Sequence, residues 1–142
     1  MTWSGQQVED TLALHQLAAL YAHVVDSGEY ERLREIFTDD VELDASQFNE
    51  PRRVGIDPVI ESYASARHPV AHHTTNVVVT TDSDGTVRMR SKVISLLADG
   101  LCGSGTYDDI CVKTPDGWRI RRRVIGLRRE SDLVKPPPRR AR

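Results

Sequence analysis

Residues 16–48 read QLAALYAHVVDSGEYERLREIFTDDVELDASQF and predict a long helix, a short helix and a strand in direct succession. Residues 26–28 end the long helix, because Gly28 can adopt the left-handed conformation that closes helices. The short helix is predicted over residues 30–37, and a half-buried strand opens at Val41, where apolar and acidic residues alternate. In the long helix, apolar side chains recur at steps of three and four residues and form one stripe that must pack against a sheet: Leu17, Tyr21, Val24 and Val25.

The rest of the first half of the chain is predicted to be helical or irregular. The long helix should start near Gln7 or Val8, and residues 38–40 should form a turn. Residues 46–55 show no periodicity, and we interpret them as a loop that covers the mouth of a pocket.

The second half of the chain predicts one helix and then a run of strands. The helix should span residues 58–66, with Asp57 as its N-cap and Pro58 at its first position. Four strands should follow, at residues 71–81, 86–97, 103–113 and 117–127. This order predicts an α+β fold with helices on one side of an antiparallel sheet.

The composition fits one soluble globular domain followed by a tail. The chain has 142 residues, 39% of them apolar and 28% charged, which is enough to bury a core. Residues 1–130 are predicted to form the domain. Residues 131–142 are rich in proline and arginine and are predicted to be extended and flexible.

Charge and hydropathy exclude several classes of partner. The net charge of −2 argues against a nucleic-acid-binding face, which would carry a basic excess. No apolar run approaches the roughly 18 residues of a membrane span, and the amino terminus lacks the apolar core of a signal peptide. We therefore expect a cytoplasmic protein without nucleic-acid or membrane partners. Cys102 and Cys111 are too few for a metal site or a disulfide framework, so buried or loop thiols are expected.

Several short pieces of sequence carry a resemblance to a known family. They are Tyr21 followed by Asp26, the FTDDV segment at residues 37–41, His72 followed four residues later by Asn76, and the DGWRI strand opening at residues 116–120. In this order and spacing they resemble the SnoaL-like branch of the NTF2-like superfamily, which includes scytalone dehydratases, bile-acid dehydratases and polyketide cyclases and is more distantly related to ketosteroid isomerases. The resemblance implies a strongly curved, mixed or antiparallel sheet wrapped around the N-terminal helices into a cone with an internal pocket.

Asp26 is the first candidate for a catalytic role. It lies at the end of the first helix, where the negative end of the helix dipole disfavours its charge, so the carboxylate needs a partner. Without the resemblance, Asp26 would be interpreted as a surface residue of the turn. The resemblance implies that it orients a histidine, His72, which moves a proton, and that the hydroxyl of Tyr21 bonds a substrate oxygen. The alternative for Tyr21 is a core tyrosine bonded to the backbone.

The adjacent residues His72 and His73 are predicted to point to opposite faces of a strand. A period of two groups His72 with Thr74 and Asn76, and His73 with Thr75, Val77 and Val79. The apolar neighbours favour His73 as the inward residue, whereas the resemblance favours His72, with Asn76 on the same pocket wall. We expect His72 to be the base and keep His73 as a substrate contact.

The last two strands supply the remaining predicted substrate contacts. Trp118, Ile120, Arg122 and Val124 share one face of the last strand, and a guanidinium among apolar residues needs an anionic partner. Arg122 could therefore bind a substrate carboxylate or pair with Asp108, which lies on the apolar face of the neighbouring strand. The alternative is a residue near the end of the strand whose side chain extends to solvent. Tyr107 or Asp108 falls where scytalone dehydratases have an asparagine.

Two departures from the family pattern keep the reaction open. The base of ketosteroid isomerases falls at Ala45 here, or at Asp44, and the second histidine of scytalone dehydratases falls near Ser91. Neither of those two reactions can therefore be assumed.

The resemblance implies a cofactor-free lyase or isomerase, of the dehydratase or cyclase type. Its substrate would be a small, apolar, cyclic or polyketide-like carbonyl compound. A homodimer is expected, with a trimer as the alternative, because Val77, Val79 and Ile94 would otherwise expose an apolar convex face. The alternatives are a non-catalytic ligand-binding or oligomerising domain, and an accessory subunit like the small chain of ring-hydroxylating dioxygenases.

Overall fold

The computed structural model describes residues 2–127, so the predicted tail lies outside the described residues. The predicted α+β class is confirmed: helices pack on one side of a curved sheet that does not close into a barrel. The elements are α1 (Gly5–Asp26), 3-10 segments at Tyr30–Glu35 and Ser46–Phe48, β1 (Phe37–Asp44), β2 (Arg53–Val54), α2 (Ile56–Ser65), β3 (Ala71–Thr81), β4 (Val87–Leu96), β5 (Cys102–Thr114) and β6 (Gly117–Leu127).

The first helix begins earlier than predicted because its start is capped. The hydroxyl of Ser4 accepts the backbone N–H of Gln7 at 3.2 Å, and the Gln7 side chain accepts the Ser4 N–H at 2.8 Å. This capping box satisfies two free donors of the first turn and allows the helix to start at Gly5. At the other end α1 stops at Asp26, and Gly28 takes the predicted left-handed conformation with φ of 70°.

The six strands form one mixed sheet in the order β2-β1-β6-β5-β4-β3. β1 is parallel to β6, and the other neighbouring pairs are antiparallel. α1 lies across the sheet against β3 and β6 and brings its apolar stripe into the core. The end of α1 therefore lies beside the start of β3, which is where the candidate site forms.

Two local predictions, one at the start of β1 and one at the start of α2, are wrong. Residues 38–40 do not form a separate turn, because β1 starts at Phe37 and passes through them with an irregular register against β6. Asp57 is not the N-cap of α2: Gly55 is, with φ of 95°, and Asp57 binds Arg34 at 2.7 Å from the first helical turn.

Irregularities in β3 and β6 change which side chains face inward. In β3 the pairing with β4 shifts between Thr75 and Val78, and Asn76 has φ of 54°. In β6 the partners of Ile110 and Cys111 are Arg122 and Ile120, so one extra residue lies between them. Such a bulge reverses the alternation of side chains along the rest of the strand.

The reversal in β3 corrects the prediction for the convex face. Val77 and Val79 do not lie there, because they pack against the core after the bulge. Val78 and Ile94 are the exposed residues, at 57% and 45% of their free surface. Both cysteines are free, as predicted, with Cys102 exposed and Cys111 buried, where burial raises the pKa of the thiol to about 12. No helix of residues 2–127 is long and apolar enough to cross a bilayer.

Candidate active site

A cavity of about 540 Å³ lies between the curved sheet and the helices. This volume is in the range of pockets that hold small organic molecules. Much of the wall is apolar, with side chains from β1, β4 and β6 such as Leu43, Val93 and Ile125. The polar part of the wall consists of two histidines, three tyrosines, three serines and the charged residues Glu50, Arg53 and Arg67.

Asp26 and His72 are bonded to each other at the wall of this cavity. The Nδ1 atom of His72 is 2.7 Å from one carboxylate oxygen of Asp26, and the backbone N–H of His72 donates to the other at 2.9 Å. These two contacts join the end of α1 to the start of β3. The carboxylate thus has the partners that its position at a helix C-terminus requires.

The bond to Asp26 defines the protonation pattern of the His72 ring. A carboxylate only accepts hydrogen bonds, so the neutral imidazole carries its proton on Nδ1 and its lone pair on Nε2. The His72 side chain is only 9% exposed and lines the cavity. Nε2 is therefore the nitrogen available to a molecule inside the cavity, and in the neutral ring it carries the lone pair that can accept a proton.

Three tyrosines form the adjoining part of the wall. The hydroxyl oxygens of Tyr21 and Tyr63 are 2.7 Å apart, and the ring of Tyr107 packs edge-to-face on Tyr21 at 5.5 Å. Within the hydroxyl pair one group donates, and the hydrogen of the other can be directed to a ligand oxygen or to the hydroxyl of Tyr107, which also interacts with Tyr21. Burial raises the pKa of Tyr63 and of Tyr107 above the ordinary value, so these hydroxyls stay protonated and act as hydrogen-bond donors.

A fully buried ion pair packs against the rings of two of these tyrosines. Arg123 donates from Nε and Nη2 to the two carboxylate oxygens of Asp109, both at 2.8 Å, and both side chains have no exposed surface. The guanidinium carbon lies 4.3 Å from the ring centre of Tyr21 and 4.1 Å from that of Tyr107. Burial raises the pKa of Asp109, and Arg123 offsets this only in part.

The predicted pair of Arg122 with Asp108 is wrong, because the buried pair lies one residue further along each strand, between Arg123 and Asp109. The alternative prediction, an Arg122 side chain that extends to solvent, agrees with the structure. Arg122 is partly exposed and lies 3.6 Å from Glu42, and Asp108 binds Arg90 at 2.6 Å. Neither lines the cavity. The bulge in β6 turns Arg123 inward, opposite Asp109 on the inner face of β5.

Three further predicted contacts lie outside the cavity. His73 is exposed on the outer face of β3, and Asn76 is exposed because it is the bulged residue. Trp118 lies at the other end of β6, where its indole N–H donates to Asp10 at 3.0 Å. Of the predicted site residues, the structure brings together Asp26, His72, Tyr21 and Tyr107.

The sequence interpretation missed Tyr63, His68 and the buried Arg123. Tyr63 follows Val59 and Ile60 at helical spacing, so its burial, and with it a need for a hydroxyl partner, could have been predicted. His68 lies between α2 and β3 without any periodic signal. Among residues 2–127 no group of three His, Cys, Asp or Glu side chains is arranged to hold a metal ion.

The cavity depends on the absence of a side chain at Gly103. A Cβ built there would meet only the Cβ of Ser95, at 3.9 Å, so a β-carbon is tolerated, and a longer side chain should extend into the cavity that Gly103 lines. We expect Gly103→Leu to fold and to weaken the binding of a cavity ligand about 10- to 100-fold, the equivalent of 1–3 kcal/mol of overpacking. Calorimetric titration with a bicyclic ketone such as α-tetralone measures this. Glu61→Leu, at an exposed position of α2, is the control, and equal affinity in both variants would contradict the assigned cavity.

The fold and the site together define a class of protein, in which a curved sheet and N-terminal helices enclose one pocket. The sequence profile of the SnoaL-like domain matches residues 6–124. The chain therefore belongs to the SnoaL-like family within the NTF2-like superfamily, which confirms the resemblance seen in the sequence.

Its relatives include proteins without an assigned function and two with proposed activities. The chain is 32% identical over 136 residues to the uncharacterised protein Rv2910c of Mycobacterium tuberculosis, covering 85% of this chain and 87% of that protein. It is similar to the structure of a proposed aromatic ring hydroxylase from Novosphingobium aromaticivorans, with 28% identity, a TM-score of 0.71, and coverage of 84% and 90%. A proposed scytalone dehydratase from the same organism shares the fold, at 21% identity, a TM-score of 0.67, and coverage of 95% and 97%.

Proposed function

We propose that this protein is a cofactor-free lyase or isomerase that removes a proton from the carbon next to a carbonyl group. The observation that carries the proposal is the hydrogen bond between Asp26 and Nδ1 of His72 at the cavity wall. It leaves Nε2 as an oriented base beside a largely apolar space of about 540 Å³. The substrate class is a small, apolar, cyclic or polyketide-like carbonyl compound.

In the proposed reaction, His72 acts on the α-carbon next to the carbonyl group, and the tyrosines act on the carbonyl oxygen. Nε2 of His72 takes the α-proton, and the electrons of the C–H bond form the carbon–carbon double bond of an enolate. The hydroxyl hydrogen that is not shared within the Tyr21–Tyr63 pair donates to the enolate oxygen, where negative charge develops. Protonation at another carbon completes an isomerisation, and loss of a β-substituent completes an elimination.

The surroundings favour this chemistry through their low polarity. A hydrogen bond to an enolate is stronger in a water-poor cavity than in solution. A positioned general base typically contributes about 10² to 10⁴ in rate. Asp26 would stabilise the imidazolium that forms and keep the ring in one orientation.

The proposal can be tested without knowledge of the natural substrate. In deuterated water, the protein should accelerate exchange of the α-protons of α-tetralone, and proton NMR follows the loss of their signal. Absence of exchange with any of a panel of cyclic ketones that bind the cavity would contradict the proposal. Binding without exchange would instead support the alternative of a non-catalytic ligand-binding domain, which the apolar wall also favours.

We also propose that the protein is a homodimer that buries the outer face of the sheet. Val78 and Ile94 are exposed there on neighbouring strands, and such apolar patches usually mark an interface. Light scattering at micromolar concentration should give twice the chain mass, and the Val78→Glu/Ile94→Glu variant should give the monomer mass. A monomeric wild type would contradict the proposal, and a trimer would change the number of copies but not the surface.

A further inference from the structure

A second histidine, His68, lies on the wall of the same cavity and has no part in the proton abstraction proposed above. It follows α2 and is partly buried. Its ring stacks on Tyr63 with centroids 5.3 Å apart and an interplanar angle of 17°, and it packs against Tyr30 at 5.5 Å. These contacts hold the ring in one orientation beside the tyrosine whose hydroxyl bonds Tyr21.

The hydrogen bonding of His68 is the reverse of that of His72. Its Nε2 atom is 2.7 Å from the backbone carbonyl oxygen of Tyr63. A carbonyl oxygen only accepts, so Nε2 keeps its hydrogen in both protonation states and Nδ1 is the atom that gains or loses a proton. Among residues 2–127, Nδ1 has no hydrogen-bond partner. Within this part of the chain no carboxylate bonds the ring, in contrast to His72 with Asp26.

Each of the two histidines thus packs against one member of the tyrosine pair. His72 packs against Tyr21 with ring centroids 6.4 Å apart, and His68 packs against Tyr63. A ligand oxygen bonded by the Tyr21–Tyr63 hydroxyls would have one histidine toward each end of the pair. The other ionisable groups of the cavity wall are Tyr107 and, among the charged residues, Glu50, Arg53 and Arg67.

We propose that His68 is the general acid of a dehydration, and that the substrate therefore carries a hydroxyl group on the carbon β to its carbonyl. The proposal rests on the proposed function of His72. After His72 has formed the enolate, the carbonyl re-forms, a double bond forms between the α and β carbons, and the β carbon–oxygen bond breaks. The proton on Nδ1 of His68 passes to the leaving oxygen, and water is released. His72 returns its proton to His68 through solvent, so the protein ends as it began.

A hydroxyl group needs such an acid because hydroxide is a poor leaving group, whereas water leaves readily. A positioned general acid typically contributes about 10² to 10⁴ in rate. The competing explanation is that His68 only packs on α2 and satisfies the carbonyl of Tyr63, one of the free carbonyls in the last turn of the helix. A purely structural role would alter proton abstraction and dehydration to the same extent.

The test compares two probes in the wild type and in His68→Gln. α-Tetralone reports proton abstraction through deuterium exchange, and its β-hydroxy derivative reports dehydration, because loss of water gives fluorescent α-naphthol. Glutamine can still donate to the carbonyl of Tyr63 but cannot supply an acidic proton. We expect the ratio of the dehydration rate to the exchange rate to fall about 10²- to 10⁴-fold in His68→Gln. In His72→Ala, both rates should fall together.

A third probe separates acid catalysis from packing. The β-acetoxy derivative expels acetate, which needs no proton, so the deficit of His68→Gln should largely disappear with it. An unchanged ratio of dehydration to exchange in His68→Gln, or an equal deficit with the hydroxyl and acetoxy probes, would overturn the proposal. A wild type that exchanges α-protons but does not dehydrate the β-hydroxy probe would overturn it too, while leaving the proposed role of His72 intact. If the wild type binds these probes but does neither, and exchanges none of the other cyclic ketones that bind the cavity, the proposed function itself fails, and the role of His68 fails with it.

Discussion

His72→Ala should lower the rate of α-proton exchange by about 10² to 10⁴ while leaving the protein folded. The large effect is expected because the substitution removes the lone pair on Nε2, which is the proposed proton acceptor. The effect on folding should be small, since the Asp26 carboxylate is 23% exposed and can be solvated when its partner is lost. Exchange rates of α-tetralone by NMR, together with thermal unfolding, measure the two effects separately.

His73→Ala is the matched control, because the same residue type is removed one position along the strand. A face shared with Val77 and Val79, as a period of two predicts for His73, would imply a cost of roughly 1 to 2 kcal/mol. The bulge at Asn76 removes that reason, and His73 is exposed. Both the exchange rate and the stability of His73→Ala should match the wild type, with stability within about 0.5 kcal/mol. Full exchange activity in His72→Ala would show that another group takes the proton.

Asp26→Asn gives a graded version of the same test. It keeps the size of the side chain and removes the charge that fixes the imidazole, so exchange should slow through a misoriented ring and not through unfolding.

Arg123→Met should lower the free energy of unfolding by about 3 to 5 kcal/mol, which is the usual cost of leaving one member of a buried ion pair alone. Asp109 would then have no cationic partner, since both of its oxygens bond the guanidinium and its side chain has no exposed surface. Chemical denaturation measures the change. The double variant Arg123→Met/Asp109→Leu is the control: it removes both charges at similar volume and should recover most of the loss.

The deficit of Arg123→Met should also depend on pH. Burial raises the pKa of Asp109 even with Arg123 present, and removal of the guanidinium raises it further. When the pKa of a carboxyl group is higher in the folded state than in the unfolded state, the protein loses stability as the pH rises from the unfolded-state pKa through the folded-state pKa. The deficit should therefore be smaller near about pH 4 than at neutral pH. A deficit under about 1 kcal/mol at neutral pH would contradict the buried pair.

The order of elements could be predicted from local patterns. The four C-terminal strands lie within one or two residues of their predicted positions, because turn residues such as Gly85 and Gly117, both with positive φ, separate runs of alternating residues. The parallel pairing of β1 with β6 could not be predicted in this way. It joins strands from opposite ends of the domain and depends on how the helices fill the sheet.

The inward or outward orientation of side chains was predicted wrongly at several strand positions. A period of two assigned Arg122 to the interior, but one extra residue in β6 turns Arg123 inward instead, opposite Asp109. In β5 the alternation is regular, and the error for Asp108 was the choice of face, since Tyr107, Asp109 and Cys111 are the buried residues. The run of arginines gives no signal of the bulge in β6. Asn76 is different, because asparagine tolerates positive φ better than most residues, so its position in a strand was a usable hint.

Only part of the candidate site could be predicted from the sequence. Asp26 and His72 are 46 residues apart, and no periodicity links them, so their contact was predicted through the family resemblance. His68 and Tyr63 have no counterpart among the quoted pieces of that resemblance. Their place beside Tyr21 arises from the packing of α2 against β1, β2 and the 3-10 segment Tyr30–Glu35.

The protonation pattern of His72 is the most direct test of its proposed role as an oriented base. Nitrogen NMR of the labelled protein, at a pH where the imidazole is neutral, distinguishes the two tautomers, and His72→Ala identifies the signals. The bond to Asp26 predicts a proton on Nδ1 and a lone pair on Nε2. A neutral ring with its proton on Nε2 would place no base at the cavity and would contradict the proposed reaction.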